Sequence, residues 1–217
     1  MINDVLEKMS MASRFIDGLR VTDSDTMDVV QMVMAGKINT FLVSLIQKIG
    51  GKAVGLSGID GRMIEAERIN EELGFAGNII RVNPDLILDS LDNGYIPVIS
   101  TLGFDDDGHI YNINSDTAAA QIAASLKAER FIVMTNVKGL YQDFSDENSF
   151  IDKINVSDIR KLMETGSISA GMIPKLKCCI EAVESGVKKT VIINGTMERS
   201  VLVEMFTDEG IGTLIEA

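Results

Sequence analysis

Short, uninterrupted apolar runs, each separated from the next by a helical period, constrain this chain more than any other feature. "KAVGLS" (52–57), "YIPVIS" (95–100), "RFIVMTN" (130–136) and "KTVIIN" (189–194) show no polar alternation. As strands they must therefore be buried on both faces. The intervening segments repeat at helical spacing. Thr22 with Asp25 predicts a capping box and a helix through Met27, Val30 and Met34 to Gly36. A second helix is expected from Ile38 to Ile49, stopped by Gly50-Gly51, and another from Asn83-Pro84 to Asp92. Further helical periods fall at residues 2–11, 156–165, 174–185 and 198–205, and around Ile122 and Leu126. Strands alternating with helices predict an α/β fold, a three-layer αβα sandwich around a mainly parallel central sheet. Two β-hairpins, with arms near 62–67 and 77–82 and within "FDDDGHIYNI", are expected as appendages on that sheet.

Bulk properties narrow the function classes. The 32 acidic against 20 basic residues leave a net charge of −12, without the basic face that nucleic acid requires. None of the apolar runs has the length of a membrane span, and no basic start leads into a signal-like apolar core, so a cytoplasmic location without membrane or nucleic-acid partners is expected. Cys178 and Cys179 are adjacent and lack the partners of a metal or disulfide framework, which reads as ordinary thiols.

The residues with chemical potential lie at strand ends and helix starts. In "YNINSDTAAAQIAASL" an extended run becomes a helix, with Asn112, Asn114 and Asp116 two apart. Open α/β sheets bind ligands at such junctions. Asp116 either caps that helix or orients a nearby lysine; the asparagines either shape a turn or meet a carboxylate. In "SAGMIPKLKCCIEAVESG", Pro174 marks a first helical position and puts Lys175 and Lys177 in the first turn. The helix dipole disfavours cations there, so either an anion binds nearby or both lysines are solvated. Arg20, in "DGLRVTD", either grips a carboxylate with its fork or pairs with Asp17 or Asp23. Asp105, Asp106 and Asp107 read as a solvated hairpin tip in preference to a metal loop, with His109 lacking a partner at ligand spacing, so no metal site is expected. The glycines of "GLSGIDG" do not open a helix, and no GxxxxGK[ST] loop occurs.

Taken in order, "FIDGLRVTD", "AGKIN", "GGKAVGLSGIDG", "NPDLI", "GYIPVIS", "YNINSDTAA", "TNVKGLY", "SAGMIPKL" and "MFTDEGIGTLI" resemble the amino-acid kinase family, and within it the acetylglutamate kinases. The resemblance spans essentially the whole chain, as one kinase domain over 1–217. It implies approximate lobes at 1–110, on the acetylglutamate side, and 111–217, on the ATP side. It implies transfer of the γ-phosphoryl of ATP, with Mg²⁺, to the side-chain carboxylate of N-acetyl-L-glutamate, a step of arginine biosynthesis. Arg20 and Asn112 would hold the α-carboxylate, with Asn114 supporting the site. Asp116 would orient catalytic lysines, and Lys175 would lie on the phosphates. Thr135, Asn136, Val137, Gly139, Leu140 and Met172 would line the nucleotide pocket. Glu209 and Gly212 match the family's arginine-effector segment, and a homodimer or larger homo-oligomer is implied.

The chain also departs from the family. The K-x-G-G strand and G-G-G-P loop do not occur in these residues, whose first helix matches the one following that loop. A chain lacking the family's N-terminal segment is therefore expected. Asn136 stands where Asp is usual, and Arg199 where His is usual. Two alternatives stay open beside the kinase. One is a catalytically impaired product that binds nucleotide or pairs with a homologue; the other is a sister kinase with a different acceptor.

Overall fold

A computed structural model describes residues 1–217 except Phe144, Ser167, Ala170, Asp208 and Glu209. Two compact units are present, Met1–Ala118 and Ala119–Ala217.

The first unit begins with α1 (Ile2–Lys8), then β1 (Phe15–Ile16) and β2 (Leu19–Arg20), an antiparallel pair. Asp17 and Gly18 form the turn with φ of 48° and 83°. A two-residue turn of type I′ requires positive φ at both central positions, and Asp-Gly tolerates it. This hairpin was not among the predicted elements, although its Asp-Gly dipeptide is the usual signal.

Next comes α2 (Ser24–Gln31). Its cap is Asp23, whose carboxylate accepts the Thr26 N–H at 2.8 Å, and not the expected Thr22. The Thr22 hydroxyl is engaged elsewhere, donating to the Arg20 carbonyl at 2.9 Å. Nor does the helix end at Gly36. It widens into a π-helical stretch over Met32–Ile38 and continues as α3 (Asn39–Lys48). A glycine costs a helix interior only about 1 kcal/mol, less than burying Val29, Val30 and Val33 along its inner face contributes. The two predicted helices are thus one of 25 residues, Ser24–Lys48, long and apolar enough by length and composition to cross a bilayer. That corrects the expectation that no apolar stretch has this length.

β3 (Ala53–Ser57), β4 (Ile64–Arg68), β5 (Ala76–Val82), α4 (Asp85–Asp92), β6 (Ile96–Ser100), β7 (Leu102–Phe104) and β8 (Ile110–Ile113) follow. β3 and β6 pair in parallel, with Ala53 beside Ile96 and Ser57 beside Ser100. Asn39 is buried against them, its amide donating to the carbonyls of Leu56 at 3.0 Å and Val98 at 2.7 Å. The close approach leaves no room for a Cβ on Gly55, where Asn39 already sits.

The hairpins are not appendages. β4–β5 and β7–β8 close on each other as a four-stranded barrel, through parallel contacts of β4 with β7 and β5 with β8. A free hairpin exposes two rows of unpaired backbone groups, and closure pairs part of them, at Glu65 beside Phe104 and at Ala76 and Gly77 beside Asn112 and Ile113. Ile64, Ala66, Leu102, Tyr111 and Ile113 are buried in this region, with Gly77 and Gly103 admitting the side chains of Tyr111 and Ile113.

α5 (Ser115–Ser125) leads into the second unit. There the chain forms β9 (Arg130–Thr135), β10 (Leu140–Tyr141), β11 (Phe150–Ile151), β12 (Lys153–Asn155), α6 (Val156–Thr165), α7 (Ile173–Glu184), β13 (Lys189–Asn194), α8 (Ser200–Phe206) and β14 (Thr213–Glu216). The sheet runs β12-β14-β13-β9. β9 is parallel to β13 and β12 to β14, while β14 is antiparallel to β13. The fold is therefore α/β, as expected, and this four-stranded sheet is mainly parallel. Phe131, Val133, Ile159, Leu176, Ile192 and Ile215 centre its core. Cys178 and Cys179 are buried in that core as free thiols. Pro174 occupies the second position of α7, one later than predicted.

Candidate functional site

In the first unit, β2, β8 and the start of α5 converge on a pocket of about 250 Å³. Arg20, Asn112 and Asn114 all line it, together with Phe15, Met34 and Thr101. The sequence-predicted ligands of a carboxylate are therefore neighbours in space.

Arg20 sits at the end of β2, carried there by the Asp17-Gly18 turn. Neither Asp17 nor Asp23 pairs with it. Instead Nη1 donates to the Ser13 hydroxyl at 2.5 Å, and Nη2 to Asn3 Oδ1 at 2.8 Å. The guanidinium carbon lies 4.6 Å from the centre of the Phe15 ring, a cation–π arrangement. Partial burial draws its pKa below the ordinary guanidinium value. The charge is already desolvated on one side, so an incoming anion meets a stronger field than bulk water would allow.

Asn112 lies at the middle of β8, its side-chain amide 3.2 Å from the Thr22 hydroxyl. The residue also lines the pocket. Asn114 has a different role. Its Oδ1 accepts the N–H groups of Asp116 at 3.0 Å and Thr117 at 3.1 Å, capping α5. Asp116 stands in the first turn of that helix, where the dipole favours a carboxylate. The cap is Asn114, so the alternative of Asp116 as cap is set aside.

The nucleotide candidates belong to the second unit. Thr135 ends β9, its hydroxyl accepting the Val137 N–H at 3.1 Å and its carbonyl the Gly195 N–H at 2.7 Å. This fixes the turn that carries Asn136 and Val137. A Cβ on Gly139 would strike the Thr213 hydroxyl, which receives the Leu140 N–H at 2.8 Å. Leu140 is buried, and so is Met172, which packs into the core just before α7. Lys175 lies in the first turn of α7, partly buried, while Lys177 faces solvent.

Glu209 lies outside the described residues. Gly212 borders a separate cleft of about 470 Å³ with Arg130, Lys189, Glu204 and Gly210.

One expectation needs correction. His109 does have a partner: its Nδ1 is 2.9 Å from Asp105 Oδ2, and Asp107 joins them within reach of a common ion. The tight β7–β8 turn folds Asp105 back onto His109, four residues on. Burial pushes the Asp105 carboxyl up, but hydrogen bonds from the Tyr111 hydroxyl, the His109 ring and the His109 N–H outweigh it, holding the pKa at about 2. Burial and the same carboxylate push Tyr111 up to about 12.

The described residues form an α/β protein in which Arg20 lines a pocket at a strand-to-helix junction, and Lys175 lies in the first turn of a helix. A sequence profile of the amino acid kinase family matches residues 1–194. The chain is 50% identical to an acetylglutamate kinase of Thermoanaerobacter sp. (strain X514) over 216 residues, covering 99% of this chain and 72% of that protein. It is 52% identical to an acetylglutamate kinase of Brachyspira hyodysenteriae over 215 residues, covering 98% and 75%. The crystal structure of smu.665 from Streptococcus mutans UA159 superposes with a TM-score of 0.84 at 28% identity, covering all of this chain and 82% of that one. The chain belongs to the amino acid kinase family.

Proposed function

We propose that this chain carries out the reaction of its acetylglutamate kinase relatives: ATP and N-acetyl-L-glutamate give ADP and N-acetyl-L-glutamyl 5-phosphate, on the way to arginine. The observation that carries the reading is the meeting of Arg20, Asn112 and Asn114 on one pocket of about 250 Å³, at 50% identity to an acetylglutamate kinase. A small dianion with an amide fits that lining. The Arg20 guanidinium takes the α-carboxylate, and Asn112 supplies a polar contact beside it. Asn114 holds the first turn of α5 so that Asp116 keeps its position.

Phosphoryl transfer asks the protein mainly for positioning and neutralised charge. Lys175 supplies a cation, and the first turn of α7 supplies N–H groups, for the phosphates of the nucleotide. The turn after Thr135, through Asn136, Val137 and Gly139, is the proposed wall of the nucleotide pocket, with Leu140 and Met172 as its apolar backing. Mg²⁺ enters as MgATP, a substrate whose phosphates hold the ion. The cleft at Gly212 supports an arginine effector site, and Glu209 is assigned to that effector from the sequence resemblance alone.

Phe41, Leu42 and Leu45 form an exposed apolar row on α3, extended by Ile49, which supports a homodimer or larger homo-oligomer. The buried amide of Asn39 ties this helix to β3 and β6, which supports a globular, cytoplasmic placement for it in place of a lipid-facing one.

The test is calorimetric titration of the 217-residue chain with N-acetyl-L-glutamate and with a non-hydrolysable MgATP analogue, beside an ADP-release assay. Binding of both, with ADP release that depends on N-acetyl-L-glutamate, is expected. Lys175→Met should then lower turnover by about 10²–10³. Failure to bind either ligand would overturn the reading. Ligand binding without ADP release would overturn turnover by this chain while leaving the pocket assignments standing. Turnover with a different carboxylate or phosphate acceptor would identify a sister kinase instead.

A further inference from the structure

Arg20 is held by two residues that no motif singled out. Nη2 donates to Asn3 Oδ1 at 2.8 Å and Nη1 to Ser13 Oγ at 2.5 Å. The two acceptors are themselves joined, the Ser13 hydroxyl donating to Asn3 Oδ1 at 3.1 Å. Acceptors that bind different terminal nitrogens and also touch each other must lie across the Nη1–Nη2 edge of the guanidinium. The Phe15 ring, 4.6 Å from the guanidinium carbon, covers the group's face. Three separate segments meet here: Asn3 from α1, Ser13 from the linker that follows, and Arg20 from β2.

We propose that Asn3 and Ser13 are positioning residues that clamp Arg20, occupying its Nη1–Nη2 edge and leaving Nε–H and the outer Nη2 N–H to receive the substrate's α-carboxylate. The proposal rests on the reading of Arg20 as the α-carboxylate ligand. Two physical arguments carry it. An arginine side chain has several rotatable bonds to freeze, and a guanidinium already fixed loses less entropy on binding. A planar fork also takes a carboxylate through two parallel hydrogen bonds only if its plane is set beforehand. Asn3 and Ser13 are uncharged, so they orient the cation without neutralising it, which Asp17 or Asp23 in the same place would do. Hence the guanidinium keeps its full charge for the substrate.

The experiment combines side-chain NMR of the ligand-free chain with titration of N-acetyl-L-glutamate. In the wild type, the Arg20 Nη protons should show hindered rotation as separate signals, which merge in Asn3→Ala and in Ser13→Ala. Asn3→Ala and Ser13→Ala should each weaken N-acetyl-L-glutamate binding by about three- to tenfold. Ser13→Thr should restore it, because the hydroxyl acceptor remains. In an Arg20→Ala background neither change should have a further effect, and affinity for the MgATP analogue should be unaltered throughout. Freely rotating Arg20 signals in the wild type would overturn the clamp. So would losses of equal size in the Arg20 and Arg20→Ala backgrounds, or Asn3→Ala and Ser13→Ala binding as wild type while Arg20→Ala does not. Unchanged binding in Arg20→Ala would instead overturn the role of Arg20 itself, with the NMR signals still deciding whether the clamp exists.

Discussion

The Asn112 side-chain amide donates to the Thr22 hydroxyl at 3.2 Å, joining positions 90 residues apart. Thr22 is fully buried and donates in turn to the Arg20 carbonyl at 2.9 Å. One hydroxyl therefore couples both proposed carboxylate ligands, by fixing the backbone of one and the side chain of the other. Thr22→Val should leave two polar groups without a partner and cost about 1–3 kcal/mol. Urea unfolding should show a lower midpoint, and N-acetyl-L-glutamate should bind more weakly. An unchanged midpoint would mean that neighbouring groups or water take over both bonds.

Arg20→Lys keeps the charge and loses the fork. Titration should show N-acetyl-L-glutamate binding weakened about tenfold or more, because an ammonium offers neither two parallel donors nor a flat face for Phe15. Affinity for MgATP should not change. Equal affinity of Arg20→Lys and wild type would show that only net charge matters at this position.

Stability should depend on pH through Asp105. Its folded pKa of about 2 lies below the ordinary 3.8. A carboxyl depressed in the folded state contributes stability that is present above the unfolded value and lost as pH falls through the folded one. The contribution should therefore be full near neutrality and fall away between about pH 4 and pH 2. Asp105→Asn should flatten this part of the profile, measured as urea midpoints at several pH values. A wild-type profile with the same slope as the variant would place the acid sensitivity elsewhere.

Asn39 offers a test of how α3 is attached. It is 5% exposed and its amide holds the carbonyls of Leu56 and Val98. Asn39→Ala removes both bonds and leaves a void beside Gly55, so destabilisation of about 1–3 kcal/mol is expected. Hydrogen exchange should accelerate along β3 and β6 more than in the second unit. Uniform acceleration across the chain would show that the bond supports global stability only.

Much of the architecture was legible because burial writes itself into residue type. The apolar runs at 52–57, 95–100, 130–136 and 189–194 correspond to β3, β6, β9 and β13 within a residue or two. Burial on both faces holds for β13 only; Ile96 of β6 and Met134 of β9 are about half exposed, so an apolar run marks a strand without fixing the cover on each face. Gly36 misled because a glycine is only a weak helix breaker, and tertiary packing outweighed it. The hairpins misled in another way. Their pairing within each hairpin is local and readable, whereas β4 beside β7 and β5 beside β8 are contacts between distant segments with no shared pattern.

The proposed site divides along the same line. Arg20, Asn112, Asn114, Asp116 and Lys175 could be nominated from the sequence because strand ends and helix starts are marked by local chemistry. Asn3, Ser13, Phe15 and Thr22 could not, since each acts through a partner that only folding brings near. Residue types and their periods determined the α/β class, the strands and the polar residues at their ends, because local sterics and burial act along the chain. Tertiary structure decided that the hairpins close into a barrel, that Asn112 meets Thr22, and that Asn3 and Ser13 hold Arg20. These depend on hydrogen bonds between distant segments, whose partners must be satisfied in three dimensions and leave no period in the sequence.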